Sequence, residues 1–194
     1  MTSDRDALRL ELRARRRSLT APQRIAAAEG LAARLLSLPC APTSGYVAGY
    51  WASDGEIALH AWQTRLPKGS VYCLPVLQPG TLRFAPWRFG DPLVTNRYGI
   101  PEPDVAPASL LEAADLSLIV MPLVGFDPQC HRLGMGGGWY DRALAFRLDS
   151  PAPPWLVGAA FDEQQVDALD RASWDVALDV VCTPSRTYER PASA

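Results

Sequence analysis

Residues 116–142 read LSLIVMPLVGFDPQCHRLGMGGGWYDR. An apolar, β-branched run passes into a loop holding Gly134, Gly136, Gly137 and Gly138, and helix-forming residues follow. A buried strand that turns through glycines into a helix is the unit of an α/β fold. Outward from it, 46–52, 70–75, 82–87, 155–160 and 180–183 read as further short strands. Helical candidates at 56–64, 139–148 and 163–168 lie between them. The expectation is an α/β three-layer sandwich with a mostly parallel central sheet, formed by residues 1–194 as one domain.

The N-terminal end differs in texture. Ser3 reads as a cap for a helix over 5–18, which carries a leucine stripe (Leu8, Leu12, Leu19) beside an arginine stripe (Arg5, Arg9, Arg13, Arg16). Thr20 and Gln23 read as a capping box opening a second helix over 21–37, stopped by Pro39 and Pro42. These two form an N-terminal helical pair. Segment 101–107 reads as a surface loop, and residues beyond Arg186 as frayed.

Composition narrows the function. The 194 residues are 48% hydrophobic and 21% charged, the balance of a soluble globular chain. No apolar run approaches the roughly 20 residues that span a bilayer, and the charged N-terminus lacks the apolar core of a signal peptide. Net charge is −2, yet residues 1–38 carry eight Arg against four acids. The only lysine, Lys68, lies in Pro-Lys-Gly-Ser, which argues against a conventional P-loop. Cys40, Cys73, Cys130 and Cys182 are scattered without CxxC spacing and only two histidines exist. That argues against structural zinc and for a reducing, cytoplasmic location.

The glycine loop carries the chemistry. Glycines expose backbone N–H groups with no Cβ in the way, which suits phosphate oxygens, and the following helix start adds positive potential. Arg132 supplies a forked cation. Asp141 would repel a phosphate unless a divalent cation lay between them, so Asp141 is a Mg²⁺ candidate. The plain alternative is a tight strand–helix turn with Asp141 complementing a helix dipole. Residue chemistry alone stops at "phosphate", leaving a sugar-phosphate or CoA-ester enzyme, or an RNA-binding or partner-binding arginine helix, as other readings. The helix lacks the interleaved aromatics of an RNA surface, and the remainder of the chain is acidic.

The segment resembles the 5-formyltetrahydrofolate cyclo-ligase (5,10-methenyltetrahydrofolate synthetase) family, on Pro122, Phe126-Asp127, Arg132-Leu133-Gly134, Gly136, Gly138 and Trp139-Tyr140-Asp141-Arg142. Further matches are the arginine-rich first helix, Ser53-Asp54-Gly55-Glu56-Ile57, Gly99-Ile100-Pro101-Glu102-Pro103, Trp174-Asp175 and Val180-Val181-Cys182-Thr183-Pro184. The resemblance implies ATP- and Mg²⁺-dependent closure of 5-formyltetrahydrofolate to 5,10-methenyltetrahydrofolate by a monomer that uses neither membrane nor nucleic acid. It implies Arg5 and Arg9 on ATP phosphates together with Arg132, Leu133, Gly134, Met135, Gly136, Gly137, Gly138, Trp139 and Tyr140. Arg132 and Tyr140 are then catalytic. Asp141 and Asp175 hold the metal, and Trp51, Glu56, Tyr98 and residues 135–139 touch the folate. Two positions depart from the family pattern: Arg5 stands where Lys is common, and Gly137 where relatives place Lys. Arg13, Arg15, Arg16 and Arg17 are expected to be mostly surface, and His131 and Cys130 have no assigned role.

Overall fold

The structure is a computed structural model that describes residues 4–191. Helix α1 (Asp4–Arg17) and helix α2 (Ala21–Ser37) form the expected N-terminal pair; Ser3 lies outside the described residues. Gln23 Oε1 accepts from the Thr20 N–H at 2.8 Å, so the side-chain-to-backbone half of the capping box forms. The strands are β1 (Ser44–Ala48), β2 (Gly69–Gln78), β3 (Thr81–Pro86), β4 (Leu93–Thr95), β5 (Pro101–Pro103), β6 (Leu118–Pro122), β7 (Gly125–Phe126), β8 (Arg132–Leu133), β9 (Trp155–Ala159), β10 (Val180–Cys182) and β11 (Thr187–Glu189). Two short helices, α3 (His60–Gln63) and α4 (Trp139–Ala143), complete the set.

The main sheet has seven strands in the order β11-β10-β9-β6-β1-β2-β3. The five inner strands run parallel, and β3 and β11 close the edges antiparallel. Strand alternation sorts the core into two faces. Val47, Leu118, Val120, Val157 and Val180 pack against Leu31 and Leu35 of α2. Ala48, Cys73, Ile119, Met121, Leu156 and Val181 face Phe84, Phe126 and Leu144 on the other side. Each fully buried Leu contributes roughly 1.5–3 kcal/mol, which fastens α2 without help from its modest amphipathicity. The mostly parallel α/β sandwich is thus present, with the second covering layer built largely from turns around α4.

Five local expectations are corrected. The 56–64 helix shrinks to α3, because Ile57 and Leu59 turn into the core and take the preceding residues out of helical geometry. The 139–148 helix ends at Ala143: Leu144 is fully buried, and Ala145–Leu148 forms a 3₁₀ turn anchored by Arg147 on Asp179 at 2.8 and 2.9 Å. The 163–168 helix is a single 3₁₀ turn at Asp162–Gln164. Residues 187–189, expected to be frayed, form β11, whose Tyr188 ring packs 5.1 Å from Phe126, and residues 192–194 lie outside the described residues. Within the expected 101–107 loop, β5 pairs with β4.

Helix α1 does not join α2 on the sheet face. It lies across the C-terminal ends of the parallel strands, held by Leu12 packed on Val124 and Leu133. A Cβ at Gly125 would come within 2.4 Å of Leu12 Cδ1. Gly125→Ala is therefore expected to cost about 1–3 kcal/mol, as overpacking of a tight core does. Thermal unfolding reads the loss.

Candidate active site

Above the C-terminal ends of β1, β2 and β6, where parallel sheets usually bind ligands, lies a cavity of about 840 Å³. That is near the upper end of small-molecule sites, roughly 300–1,000 Å³. Its walls come from α1 (Arg5, Arg9, Arg13), the β1 exit (Tyr50, Trp51, Ser53, Asp54, Glu56), the 96–101 turn, the glycine loop with α4, and Trp174-Asp175. Every site residue expected from the sequence lines this chamber except Leu133, whose side chain is buried under α1 with Leu12. Any contact of Leu133 with a ligand must therefore come from its backbone.

The loop's peptide orientations are set by arginines. Arg9 Nε donates to Gly134 O at 2.9 Å, and its guanidinium lies 3.5 Å from where a Gly136 Cβ would sit. Gly136 has φ +92°, a left-handed conformation that disfavours any side chain. Arg142 donates to Gly137 O at 3.0 Å and to Gly80 O of the β2–β3 hairpin at 2.7 Å. With these carbonyls engaged, no hydrogen bond among the described residues uses the N–H groups of residues 134–138. Helix α4 has only five residues, so the expected helix-start potential is small and the loop amides and arginines are the groups available to an anion. A Cβ at Gly137 would meet Trp139 Cδ1 at 2.8 Å, so the indole fills the space a side chain at 137 would need.

Both candidate metal carboxylates are held by arginines of the same chamber. Arg132 Nη2 donates to Asp141 Oδ1 at 2.5 Å, and Arg5 Nη2 to Asp175 Oδ2 at 3.3 Å. The Val176 N–H also reaches Asp141 Oδ1 at 3.2 Å, joining the two acidic segments. Arg5 Nε and Arg132 Nε are buried without a partner. An unmet guanidinium donor is costly in a dry site; both belong to residues that line the chamber, with the two Nε atoms themselves enclosed. Arg132 also sits 5.9 Å over the Tyr140 ring. Burial, with Glu56 nearby, pushes the Tyr140 phenol well up despite Arg132, so it is a proton donor rather than a base near neutral pH.

Glu56 is not the first-turn helix acid that a bare sequence reading suggests. Its carboxylate turns back onto the Ser53 N–H at 3.0 Å and faces the chamber. Burial raises its carboxyl above the usual range, against the Ser53 N–H, Arg16 and the Ser53 hydroxyl. Trp51 stacks edge-on against Trp87 at 5.9 Å, and Tyr98 edge-on against Trp139 at 6.3 Å. His131 bonds Asp127 at 2.9 Å and does not line the chamber. The Cys130 thiol, pushed up to about 11 by burial, donates to Tyr188 O.

The largest departure from the sequence reading is Arg16, which is not surface but 0% exposed. It donates to the Asp54 carboxylate at 2.7 Å, to Asp54 O at 3.0 Å and to Leu123 O at 3.2 Å. Arg13 and Arg17 bond the same carboxylate. Asp54 takes φ +48° beside Gly55 at +79°, a turn that aims its carboxylate back at α1. This clasp ties the helix that carries Arg5 and Arg9 to the turn that carries Glu56. The Asp-Gly pair was the available signal for such a turn; that α1 would supply its partners was not readable.

The family model for 5-formyltetrahydrofolate cyclo-ligases matches residues 1–184. The chain belongs to the 5-formyltetrahydrofolate cyclo-ligase family. It is 36% identical over 182 residues to the 5-formyltetrahydrofolate cyclo-ligase of Escherichia coli K12, covering 92% of this chain and 99% of that one. The Haemophilus influenzae cyclo-ligase is 37% identical, covering 91% and 96% respectively. The solved structure of Aquifex aeolicus 5,10-methenyltetrahydrofolate synthetase superposes with a TM-score of 0.82 at 27% identity, covering 98% of this chain and 94% of that one.

Proposed function

We propose that the chamber brings ATP and 5-formyltetrahydrofolate together, with the ATP phosphates between α1 and the glycine loop and the pterin toward Glu56. The reaction is that of the cyclo-ligase family, the ATP-driven closure of 5-formyltetrahydrofolate to 5,10-methenyltetrahydrofolate. One observation carries the seating: Arg9 engages the Gly134 carbonyl while the amides of 134–138 remain unspent on a chamber that Glu56 also lines. A formamide oxygen is a poor leaving group. Transfer of the γ-phosphoryl group to it creates an activated carbon that N10 attacks; loss of phosphate leaves the methenyl bridge. The work for the protein is alignment and charge stabilisation. Arg5, Arg9 and Arg132 with the loop amides hold the phosphoryl oxygens, and the neutral Tyr140 phenol donates toward the same region. Trp51, Tyr98 and Trp139 flank the flat rings of the folate, and Met135 covers them.

Mg²⁺ fits the residues present. Among the described residues no cluster of three metal-ligating side chains exists, but Mg²⁺ is commonly held by one or two carboxylates completed by phosphate oxygens and waters. Asp141 and Asp175 would hold it, where it would neutralise charge on the nucleotide. On the same reading residues 1–194 act as one domain, a monomer working on small molecules in the cytoplasm. Among the described residues no helix is long and apolar enough to cross a membrane.

The test is direct. Protein, 5-formyltetrahydrofolate, ATP and Mg²⁺ together should develop the near-ultraviolet absorbance of the methenyl product; no signal, or one independent of ATP, overturns the reading. Glu56 gives a pH signature. Because its folded carboxyl is raised, it protonates at a higher pH than an ordinary glutamate on acidification. KM for the folate should therefore begin to climb above the usual carboxylate range, while KM for ATP stays level. The raised value also means that ionised Glu56 disfavours the fold as pH increases through that window. Glu56→Gln should lose folate affinity yet be at least as stable at neutral pH. A Gln variant that melts earlier would contradict the assignment.

A further inference from the structure

The chain at Asn96-Arg97-Tyr98-Gly99 forms a stiff turn. Asn96 Oδ1 accepts from the Tyr98 and Ile100 N–H groups at 2.9 and 3.1 Å, and Gly99 takes φ +76°. Asn96 Nδ2 donates to Glu102 Oε2 at 3.0 Å, an oxygen that also accepts the Leu77 N–H of β2 at 3.1 Å. The turn is thus fastened to the sheet, and Arg97, exposed near its tip, lies beside two residues of the chamber wall. Its guanidinium lies 5.1 Å from the Tyr98 ring centroid and 5.0 Å from that of Trp139. Both rings line the chamber.

Arg97 differs from its neighbours in one respect. Arg5, Arg9, Arg13 and Arg132 each hold a carboxylate, and Arg142 holds two carbonyls. Among the described residues, Arg97 makes no hydrogen bond and no ion pair. Stacking on aromatic faces fixes the plane of a guanidinium and leaves its edge donors available. A planar cation with unspent forked donors suits a carboxylate, which it can engage with two parallel bonds.

We propose that Arg97 is a specificity residue that binds the glutamyl carboxylates of the folate substrate at the chamber mouth. The inference rests on the cyclo-ligase reading above. The reacting formyl group must meet the phosphoryl group deep in the chamber, and the pterin is placed near Glu56. The opposite end of the substrate is an aminobenzoyl ring carrying a glutamate, with a further carboxylate for every added glutamyl unit. That end leaves past Tyr98 and Trp139, whose rings suit the aminobenzoyl group, and its carboxylates reach Arg97. The remaining arginines of the chamber serve phosphate or internal acids.

The experiment compares the parent, Arg97→Ala and Arg97→Lys on three substrates: 5-formyltetrahydrofolate, its glutamate-free analogue 5-formyltetrahydropteroate, and a polyglutamyl form. Loss of a charge-assisted forked pair should raise KM of the Ala variant about tenfold for 5-formyltetrahydrofolate, and more for the polyglutamyl form. The kcat with each substrate and KM for ATP should hold. KM for the pteroate should change less than about twofold, since no glutamyl contact exists to lose. Lys should recover part of the loss. Equal weakening of pteroate and folate would mean that Arg97 only supports Trp139, and no change with any substrate would remove it from the site; either overturns the proposal. A parent that forms no methenyl product from any of the three would instead fail the cyclo-ligase reading itself.

Discussion

Asp54→Ala should destabilise the protein by about 3–5 kcal/mol, the usual consequence of stripping the partner from a buried charge. Arg16 has no exposed surface through which water could replace the lost carboxylate. The carbonyls of Asp54 and Leu123 remain as acceptors, but they carry no charge to oppose the guanidinium. Alanine also fits poorly at φ +48°, where short polar side chains and glycine are better tolerated. Asp54→Asn separates the two effects, since it keeps the shape and removes the charge. A fall in denaturant midpoint at unchanged slope measures the loss. A change below about 1 kcal/mol for both variants would show that Arg16 is satisfied by carbonyls alone. On a total stability of roughly 5–15 kcal/mol the larger figure is severe, so folate and ATP affinities should weaken together as α1 and the Glu56 turn separate.

Asp141→Asn should leave the fold intact and lower kcat about 10²-fold, the scale on which removal of one electrostatic element in a catalytic site is felt. The asparagine retains an acceptor for Arg132 and for the Val176 N–H, so the local frame persists. What it lacks is the negative charge proposed to hold Mg²⁺. The Mg²⁺ concentration for half-maximal rate should therefore rise, and an unchanged metal dependence would strike Asp141 from the ligand set. Arg132→Ala should lower kcat at least as far, with its partner Asp141 left uncompensated beside the proposed phosphate seat.

The strand–glycine–helix segment and the alternation of short apolar runs were enough to read a parallel α/β sheet, because strands buried on both faces are written as continuous β-branched stretches. The chamber residues were legible for a different reason: the motif around Arg132–Arg142 is dense, and its resemblance carried Glu56, Tyr98 and Asp175 with it. Periodicity failed where tertiary contacts outvoted it. Leu144 breaks a helix because the core takes its side chain, and 187–189 becomes a strand because β10 offers an unpaired edge. Arg16 defeated the reading altogether. On a helical wheel it belongs to the same polar stripe as Arg9, and only the turn at Asp54, 38 residues away, decides that one arginine reaches the glycine loop and the other is interred.

The charged side chains lining the chamber are Arg5, Arg9, Arg13 and Arg132 against Asp54, Glu56, Asp141 and Asp175, so the two signs are equal in number. The lining of the chamber is accordingly a neutral zwitterion rather than an open anion trap. A stray inorganic phosphate could take up the unspent amides of 134–138 but would sit beside Asp141 and Asp175 with nothing to compensate those acids. A nucleotide arriving with its own divalent ion brings compensation for both partners at once, which should make free phosphate, and ATP stripped of metal, feeble competitors for the site.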